Sequence, residues 1–194
     1  MTRCASLLAF GLLALSMHAG TIVQNTGGGG LVGPEFVGQP FTTPSGGPWV
    51  NIKFNFYQDS GTVAAAKGTA YIFTSAYTGT PSGLSGSSFL AAGPAIFGVS
   101  YNFAPSFMLQ PNTQYFLYED AALLLGVGST GNRSNGGSPS LPFSPLCCGA
   151  TNFLVAGDPV PESSTGLLVG VALAGFALTT LRKRRVNTLR ADHR

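Results

Sequence analysis

An alternating stretch near residue 50 places the strongest constraint on the fold of this chain. Between Trp49 and Tyr57 the sequence reads WVNIKFNFY, in which side chains of different polarity follow one another. Successive side chains of a β-strand point to opposite faces, whereas those of a helix repeat every 3.6 residues. The pattern therefore predicts a half-buried strand, with Ile52 and Phe54 on its apolar face and Trp49 and Lys53 on the other.

Further short apolar runs, separated by turn-forming residues, continue this pattern. We predict additional strands over residues 36–42, 68–74, 95–103, 114–118, 121–125 and 151–155. Pro40 indicates an edge strand for the first of them, because Pro has no N–H to donate to a sheet. In the run 95–103 we expect Phe97 and Val99 to share one face with Tyr101. The longest low-complexity loop is expected from Gly126 to about residue 144.

No window of this region carries a helical stripe of apolar residues. Seven or more short strands joined by Gly-, Pro- and Ser-containing turns are typical of an all-β domain. The sequence therefore predicts a single antiparallel β-sandwich of jelly-roll or Ig-like topology over residues 20–159.

The N-terminal residues have a different composition from this body. Arg3 precedes an apolar run over 5–15, and small residues lie at Ala14, Ser16 and Ala19. This order is typical of a secretory signal peptide over residues 1–19. Cleavage after Ser16 is the alternative to cleavage after Ala19.

At the other end a short motif, an apolar run and a basic cluster follow one another. Val160, Pro161 and Glu162 precede an uncharged run of 17 residues over 165–181. At 1.5 Å per residue this run just crosses a hydrocarbon core of about 30 Å. Four adjacent cations come next: Arg182, Lys183, Arg184 and Arg185. Because such cations stay on the cytoplasmic side, we expect a transmembrane helix with a cytoplasmic tail over 186–194 and the body outside.

This C-terminal block, residues 160–185, resembles the PEP-CTERM sorting signal of exopolysaccharide-producing Gram-negative bacteria. Pro161 and Glu162 match that family's Pro-Glu-Pro motif, and Ser163 stands where the second Pro is usual. The resemblance implies transient anchoring in the inner membrane, cleavage near the motif by an exosortase-type membrane protease, and delivery to the cell surface or extracellular matrix. A plain single-pass anchor is the alternative.

The body is also loosely similar to domains that precede this sorting signal. The similarity lies in a Gln-x-Phe-Thr-x-Pro opening at Gln39–Pro44 and in a Leu-x-Pro-x-Thr-x-Tyr turn and strand at Leu109–Tyr115. It implies a β-sandwich and brings no activity with it.

Charge and histidine content exclude several function classes for the body. Three cations against five carboxylates give residues 20–159 a net charge of −2, so the +3 of the whole chain comes from its tail. The body therefore has no basic patch for nucleic acid. The two histidines, His18 and His193, lie outside the body, which removes Ser-His-Asp and Cys-His catalysis and His-ligated metal sites.

The carboxylates are the other candidates for chemistry. Glycoside hydrolysis needs two facing carboxylates, but Glu119 and Asp120 are neighbours that point to opposite faces of a strand. Asp59 lies in a turn, so a catalytic pair would need Asp59 or Glu35 with one of these two, and we interpret all four as solvated acids. No cofactor is expected, although Asp59, Glu119 or Asp120 with backbone carbonyls would suit a structural calcium ion.

Cys147 and Cys148 are the two cysteines of the body. Thiols outside the cell oxidise, but two Cα atoms 3.8 Å apart across a trans peptide lie below the usual disulfide range. Three outcomes stay open: a strained vicinal disulfide, cross-links to another chain, or two buried thiols. We favour the vicinal disulfide, in a turn from Pro145 to Gly149.

These observations favour an exported, non-enzymatic protein with a structural or adhesive role in the matrix. The alternative is a carbohydrate-binding module that recognises a glycan through exposed aromatic side chains, and a hydrolase comes third. Candidates for stacking on sugar rings are Trp49, Tyr57, Tyr71, Tyr77 and Tyr101.

Overall fold

A computed structural model describes residues 19–28, 30–59, 61–128, 131–136, 138–160 and 170. Several of the sequence predictions lie outside these residues: the signal peptide up to residue 18, the motif residues Pro161 and Glu162, the apolar run 165–181 apart from Gly170, and the basic cluster 182–185. Within the described part of the chain, no helix is both long enough and apolar enough to span a membrane.

The described residues are mostly antiparallel β-structure, which confirms the predicted all-β class. One 3-10 helix, Pro81–Gly86, lies among eleven strands. The strands are β1 (Gly20–Asn25), β2 (Gly30–Thr42), β3 (Trp49–Phe56), β4 (Thr69–Phe73), β5 (Ala91–Ile96), β6 (Ser100–Asn102), β7 (Gln114–Glu119), β8 (Leu123–Val127), β9 (Asn132–Gly136), β10 (Cys147–Cys148) and β11 (Phe153–Pro159).

The strands form one sheet in the order β1-β11-β3-β6-β5-β4-β7-β2-β9-β10, and β8 pairs with β2 outside this path. Strand β5 connects the two halves, because residues 91–94 pair with β4 and residues 95–96 pair with β6. The sheet curls, so that β1, β11 and β3 face β4, β7 and β2 across a shared core.

Aromatic side chains from both halves meet in this core. The ring of Phe54 on β3 stacks on that of Phe153 on β11, with centroids 5.3 Å apart, and lies 6.0 Å from the ring of Phe41 on β2. Such pairs contribute about 0.5–1.5 kcal/mol each beyond their buried area. A second cluster lies beneath the 3-10 helix and consists of Tyr71, Phe73, Leu84, Phe116, Tyr118 and Phe143. Strand β7 is therefore buried on both faces, which accounts for its continuous apolar run.

The predicted first strand is present, but Trp49 lies on the opposite face from the one expected. Ile52, Phe54 and Phe56 are buried as the alternation requires, whereas Trp49 is also buried at 7 % exposure. The pairing of β3 with β11 shifts register between Ala156 and Asp158, and Asn51 has a positive φ of 54°. This is a β-bulge: its extra residue reverses the direction of the side chains that precede it.

The predicted strand over 95–103 is a hairpin. The chain turns between Ile96 and Ser100, where Phe97 and Gly98 both have positive φ and the N–H of Val99 donates to the carbonyl of Ile96. Gly98 adopts this conformation at no steric cost, which allows the reversal. Phe97 is consequently 97 % exposed instead of sharing a buried face with Tyr101.

The edge strand expected from Pro40 is present only at the end of β2. Residues 38–42 of β2 pair with β7 and residues 30–35 with β8, which follows β7 along the same side, whereas residues 36–38 pair with β9 on the other side. Pairing with β9 ends at Gly38, however, so Pro40 is paired only with Phe116 of β7. The missing N–H therefore disrupts no ladder, because β2 has a neighbour on both sides at Gly38 and a free edge on one side at Pro40.

The segment from Gly126 to residue 144 is not the continuous loop that its composition suggested. Strand β8 extends to Val127, and β9 follows as Asn132–Gly136 and pairs with Phe36–Gly38 of β2. Polar residues form β9 because its partner strand supplies the hydrogen bonds, a tertiary effect that overrides local propensity.

Candidate functional site

The two ends of the curled sheet approach each other at a seam, which we define as the region where β1 and the start of β11 meet β2 and the start of β9. Asn25 of β1 donates its side-chain N–H to the carbonyl of Thr151, at 3.0 Å. Asn152 accepts a hydrogen bond from the N–H of Gly28 at 3.1 Å and donates to the Gly28 carbonyl at 2.9 Å. Amide side chains therefore supplement the backbone hydrogen bonds that the segment before β11 makes with Gly126 and Gly128.

Gln39 is the central residue of the seam and is only 2 % exposed. Its Oε1 accepts hydrogen bonds from the N–H and the hydroxyl of Thr151, at 2.9 and 2.6 Å. Its Nε2 donates to the carbonyl oxygens of Pro40 and Asn132, at 2.7 and 3.3 Å. All the hydrogen-bonding capacity of this buried amide is thus used, so its geometry is fixed.

A cleft of about 480 Å³ opens along the seam. We call it the amide cleft, because five of its lining side chains are amides: Gln24, Asn25, Gln39, Gln114 and Asn132. The buried rings of Phe41 and Phe153 line its base. Its volume lies in the range of about 300–1,000 Å³ that is usual for small-molecule sites.

The amide cleft carries no formal charge. Its eleven lining residues include no Asp, Glu, Lys, Arg or His. Gln24, Gln114 and Asn132 are exposed, and within the described part of the chain their side chains make no hydrogen bond. The cleft thus combines a fixed, fully bonded floor with three uncommitted amide groups at its rim.

The described carboxylates each bind a neighbouring group of the protein itself. Asp59 Oδ1 accepts hydrogen bonds from the N–H groups of Gly61 and Thr62, at 2.8 and 2.6 Å, and these bonds hold the pKa of Asp59 below its ordinary value. This confirms its predicted role in a turn. Asp158 accepts a hydrogen bond of 2.7 Å from the side chain of Asn51, beside the bulge.

Glu35 and Arg133 form an ion pair of 3.6 Å, and Arg133 also donates to the carbonyl of Gly149 at 3.3 Å. Arg133 is 5 % exposed. Its charge is therefore used inside the fold and is not part of a surface patch.

Glu119 and Asp120 differ in environment, and the interpretation of Glu119 as a solvated acid is wrong. Glu119 is completely buried, and its Oε2 lies 3.3 Å from the hydroxyl of Tyr101. Desolvation raises the pKa of Glu119 well above its ordinary value, since burial penalises the charged form. Asp120, by contrast, accepts a hydrogen bond from the N–H of Thr69 at 2.6 Å and so fixes the start of β4.

The aromatic candidates do not form an exposed platform. Trp49, Tyr71 and Tyr101 are buried, at 7 %, 5 % and 0 % exposure. Tyr77 is partly buried against Phe73, with ring centroids 5.3 Å apart. These residues therefore offer no exposed aromatic platform on which a sugar ring could stack.

Cys147 and Cys148 form the short strand β10, which pairs with Arg133 and Asn132 of β9. The expected turn from Pro145 to Gly149 thus contains a strand pairing. The cysteine side chains lie outside the described part of the structure, so the vicinal disulfide stays a prediction.

Metal-binding chemistry has no assembled site among the described residues. No group of three or more His, Cys, Asp or Glu side chains is close enough there to hold an ion, so Asp59, Glu119 and Asp120 are not gathered together. The structural calcium ion stays an expectation without a site in this part of the chain.

Sequence reasoning missed the amide cleft. Its lining comes from β1, β2, β7, β9, the start of β11 and the residues just before β9 and β11, which are distant in sequence. The available signal was the placement of Gln24, Asn25, Gln114 and Asn132 at strand ends.

No protein-family model, curated protein or solved structure matches this chain.

Proposed function

We propose that this chain is an exported protein of an exopolysaccharide-producing bacterium, with a non-enzymatic structural or adhesive role at the cell surface or in the extracellular matrix. The non-enzymatic role is supported by the contacts that the carboxylates of the body make within the fold. The five acidic residues of the body, Glu35, Asp59, Glu119, Asp120 and Asp158, each bind a group of the fold.

A hydrolase is disfavoured by the same observation. Retaining and inverting glycosidases both need one ionised and one protonated carboxyl that face the same substrate bond. Glu119 has the raised pKa of a general acid, but it is fully buried and has no exposed surface to offer a substrate. Asp59 is ionised and exposed, but its Oδ1 is engaged by two turn amides.

The proposed fold is a β-sandwich of jelly-roll or Ig-like topology. The facing halves of the curled sheet and their shared aromatic core support this assignment.

Localisation rests on the sequence of the two ends. The signal peptide over residues 1–19 would export the chain, and the PEP-CTERM-like block with Pro161 and Glu162 would anchor it transiently in the inner membrane. Its partners are then an exosortase-type membrane protease during delivery and exopolysaccharide afterwards. The alternative of a carbohydrate-binding module acting through exposed aromatics loses support, because Trp49, Tyr71 and Tyr101 are buried.

The test is the distribution of the full chain in an exopolysaccharide-producing strain with an exosortase and in the same strain without it. We expect the protein in the cell-surface and extracellular fractions of the first strain and in the inner membrane of the second. The double variant Pro161→Ala with Glu162→Ala should stay in the inner membrane in both strains, whereas the matched control Ser163→Ala should follow the wild type. Recovery in the cytosol, or the same distribution in both strains, would overturn the proposal.

A further inference from the structure

We infer that the amide cleft is a binding site for an uncharged, hydroxyl-rich ligand, namely a segment of a neutral polysaccharide. The inference deepens the proposed function, because it names the surface and the class of polymer through which an exported matrix protein would adhere. It starts from the rim of the cleft, where the exposed side chains of Gln24, Gln114 and Asn132 make no hydrogen bond in the described structure.

The chemistry of the rim favours hydroxyl groups as partners. Each primary amide offers two N–H donors and a carbonyl acceptor, and each sugar hydroxyl is both a donor and an acceptor. An amide therefore binds a pair of neighbouring hydroxyls without requiring a charge on either side. The hydroxyl of Thr42 lies on the same rim and adds a further donor and acceptor.

The floor of the cleft supports this assignment. Phe41 and Phe153 are buried lining residues of the cleft and give it an apolar surface that the C–H groups of a sugar ring could contact. Gln39 and Asn25 are already bonded to the backbone at Thr151, so the floor needs no rearrangement before binding. A pre-formed site loses little affinity to ordering of its own side chains.

The same geometry disfavours two other classes of ligand. A phosphorylated, sulfated or uronic-acid ligand would find no cation among the lining residues to offset its desolvation. An extended peptide would bind by adding a strand to the free end of β2, but Pro40 has no N–H and its carbonyl already accepts from Gln39. A neutral polymer that binds through side chains meets neither obstacle.

The experiment uses the full chain, purified in a detergent whose headgroup is not a sugar, and isothermal titration with defined oligosaccharides. The neutral probes are cellohexaose, laminarihexaose, maltohexaose and xylohexaose, and the acidic probe is hexaguluronate. We expect at least one neutral probe to bind at a single site and hexaguluronate not to bind. Gln24→Ala, Gln114→Ala and Asn132→Ala should each weaken that binding roughly three- to tenfold, the loss expected for one hydrogen bond.

The matched control is Gln110→Ala, which removes an exposed amide outside the cleft and should leave affinity unchanged. The three rim positions are exposed, so their variants should fold like the wild type. Failure of all four neutral probes to bind would overturn the inference, as would tighter binding of hexaguluronate or of an extended peptide. Equal losses in Gln110→Ala and the rim variants would also overturn it. Because titration in vitro does not depend on export, these outcomes are independent of the delivery test.

Discussion

Gln39 and Glu119 are both inside the protein, yet they differ in how far their polar atoms are satisfied. Gln39 accepts two hydrogen bonds and donates two. Glu119 Oε2 lies beside the hydroxyl of Tyr101, and Glu119 Oε1 has no hydrogen-bond partner in the described structure. The amide has no charge to gain or lose with pH, whereas burial favours the protonated, neutral form of the carboxyl.

We predict that the wild type becomes less stable as pH rises toward neutral and that the Glu119→Gln variant does not. The folded pKa of Glu119 is raised by desolvation, so its favourable contribution is complete below the unfolded pKa, about 4.3, and is lost as pH rises toward the folded pKa. At pH 7.5 the variant should be more stable than the wild type, because its amide has no charged form whose burial would be penalised. Chemical denaturation at pH 4 and pH 7.5 measures this difference.

Asp59→Asn is the matched control, because its pKa shift has the opposite sign. Turn amides lower the pKa of Asp59, so its contribution is present at neutral pH and is lost only as pH falls through the folded value. This control should leave the decline of stability toward pH 7.5 intact. An unchanged pH profile in Glu119→Gln would contradict the assigned burial of a protonated carboxyl.

Among the elements, β3 shows how one residue alters an alternating pattern. The bulge at Asn51 turns Trp49 into the core, and the opposing register shift lies between Ala156 and Asp158 of β11. Sequence periodicity predicts the strand itself, since Ile52 and Phe54 are buried as expected. It does not predict the bulge, because the bulge depends on the pairing partner.

We predict that Asn51→Val destabilises the protein more than Asn51→Gly. Both variants remove the hydrogen bond to Asp158, but only Val must adopt a positive φ with a β-branched side chain. The difference should be about 1–2 kcal/mol, the cost of the left-handed conformation. Because Trp49 is the only Trp in the chain, its fluorescence reports the bulge directly.

Wild type and Asn51→Gly should show blue-shifted Trp emission that is protected from acrylamide quenching. Asn51→Val should shift the emission to the red if the bulge is lost in the folded state. Equal stability of the two variants, or solvent-exposed Trp emission in the wild type, would contradict the bulge.

The cysteine pair of β10 gives a second prediction at this scale. A vicinal bond between Cys147 and Cys148 would close almost no loop, so it would contribute little stability through chain entropy. Replacing both residues with Ser should therefore change the melting temperature only slightly, and the oxidised protein should remain monomeric. Covalent dimers on non-reducing gels that disappear with reductant would instead assign the pair to cross-linking.

At the scale of the whole molecule, the all-β class and most strands were predictable because they depend on local apolar periodicity. Strands over 69–73, 114–119 and 153–159 lie close to their predicted positions. The polar strand β9 and the amide cleft were not predictable, because each depends on segments far apart in sequence that only the curled sheet brings together. The burial of Glu119 was not predictable for the same reason.

We predict that residues 20–159 fold as an independent unit. The core clusters lie entirely within this range, and about 140 residues suffice for a domain with its own core. Expressed alone, the fragment should give a β-type circular dichroism spectrum and a cooperative melt. A helical spectrum, or the absence of a melting transition, would contradict the proposed sandwich.

Export followed by removal of the C-terminal block can be tested by the intact mass of the protein recovered from the surface of an exosortase-containing host. We expect a single species that lacks the signal peptide and the residues from Thr165 to Arg194. A chain that lacks the signal peptide but retains its C-terminal tail would leave only a plain anchor. A full-length chain, still with residues 1–19, would contradict export itself.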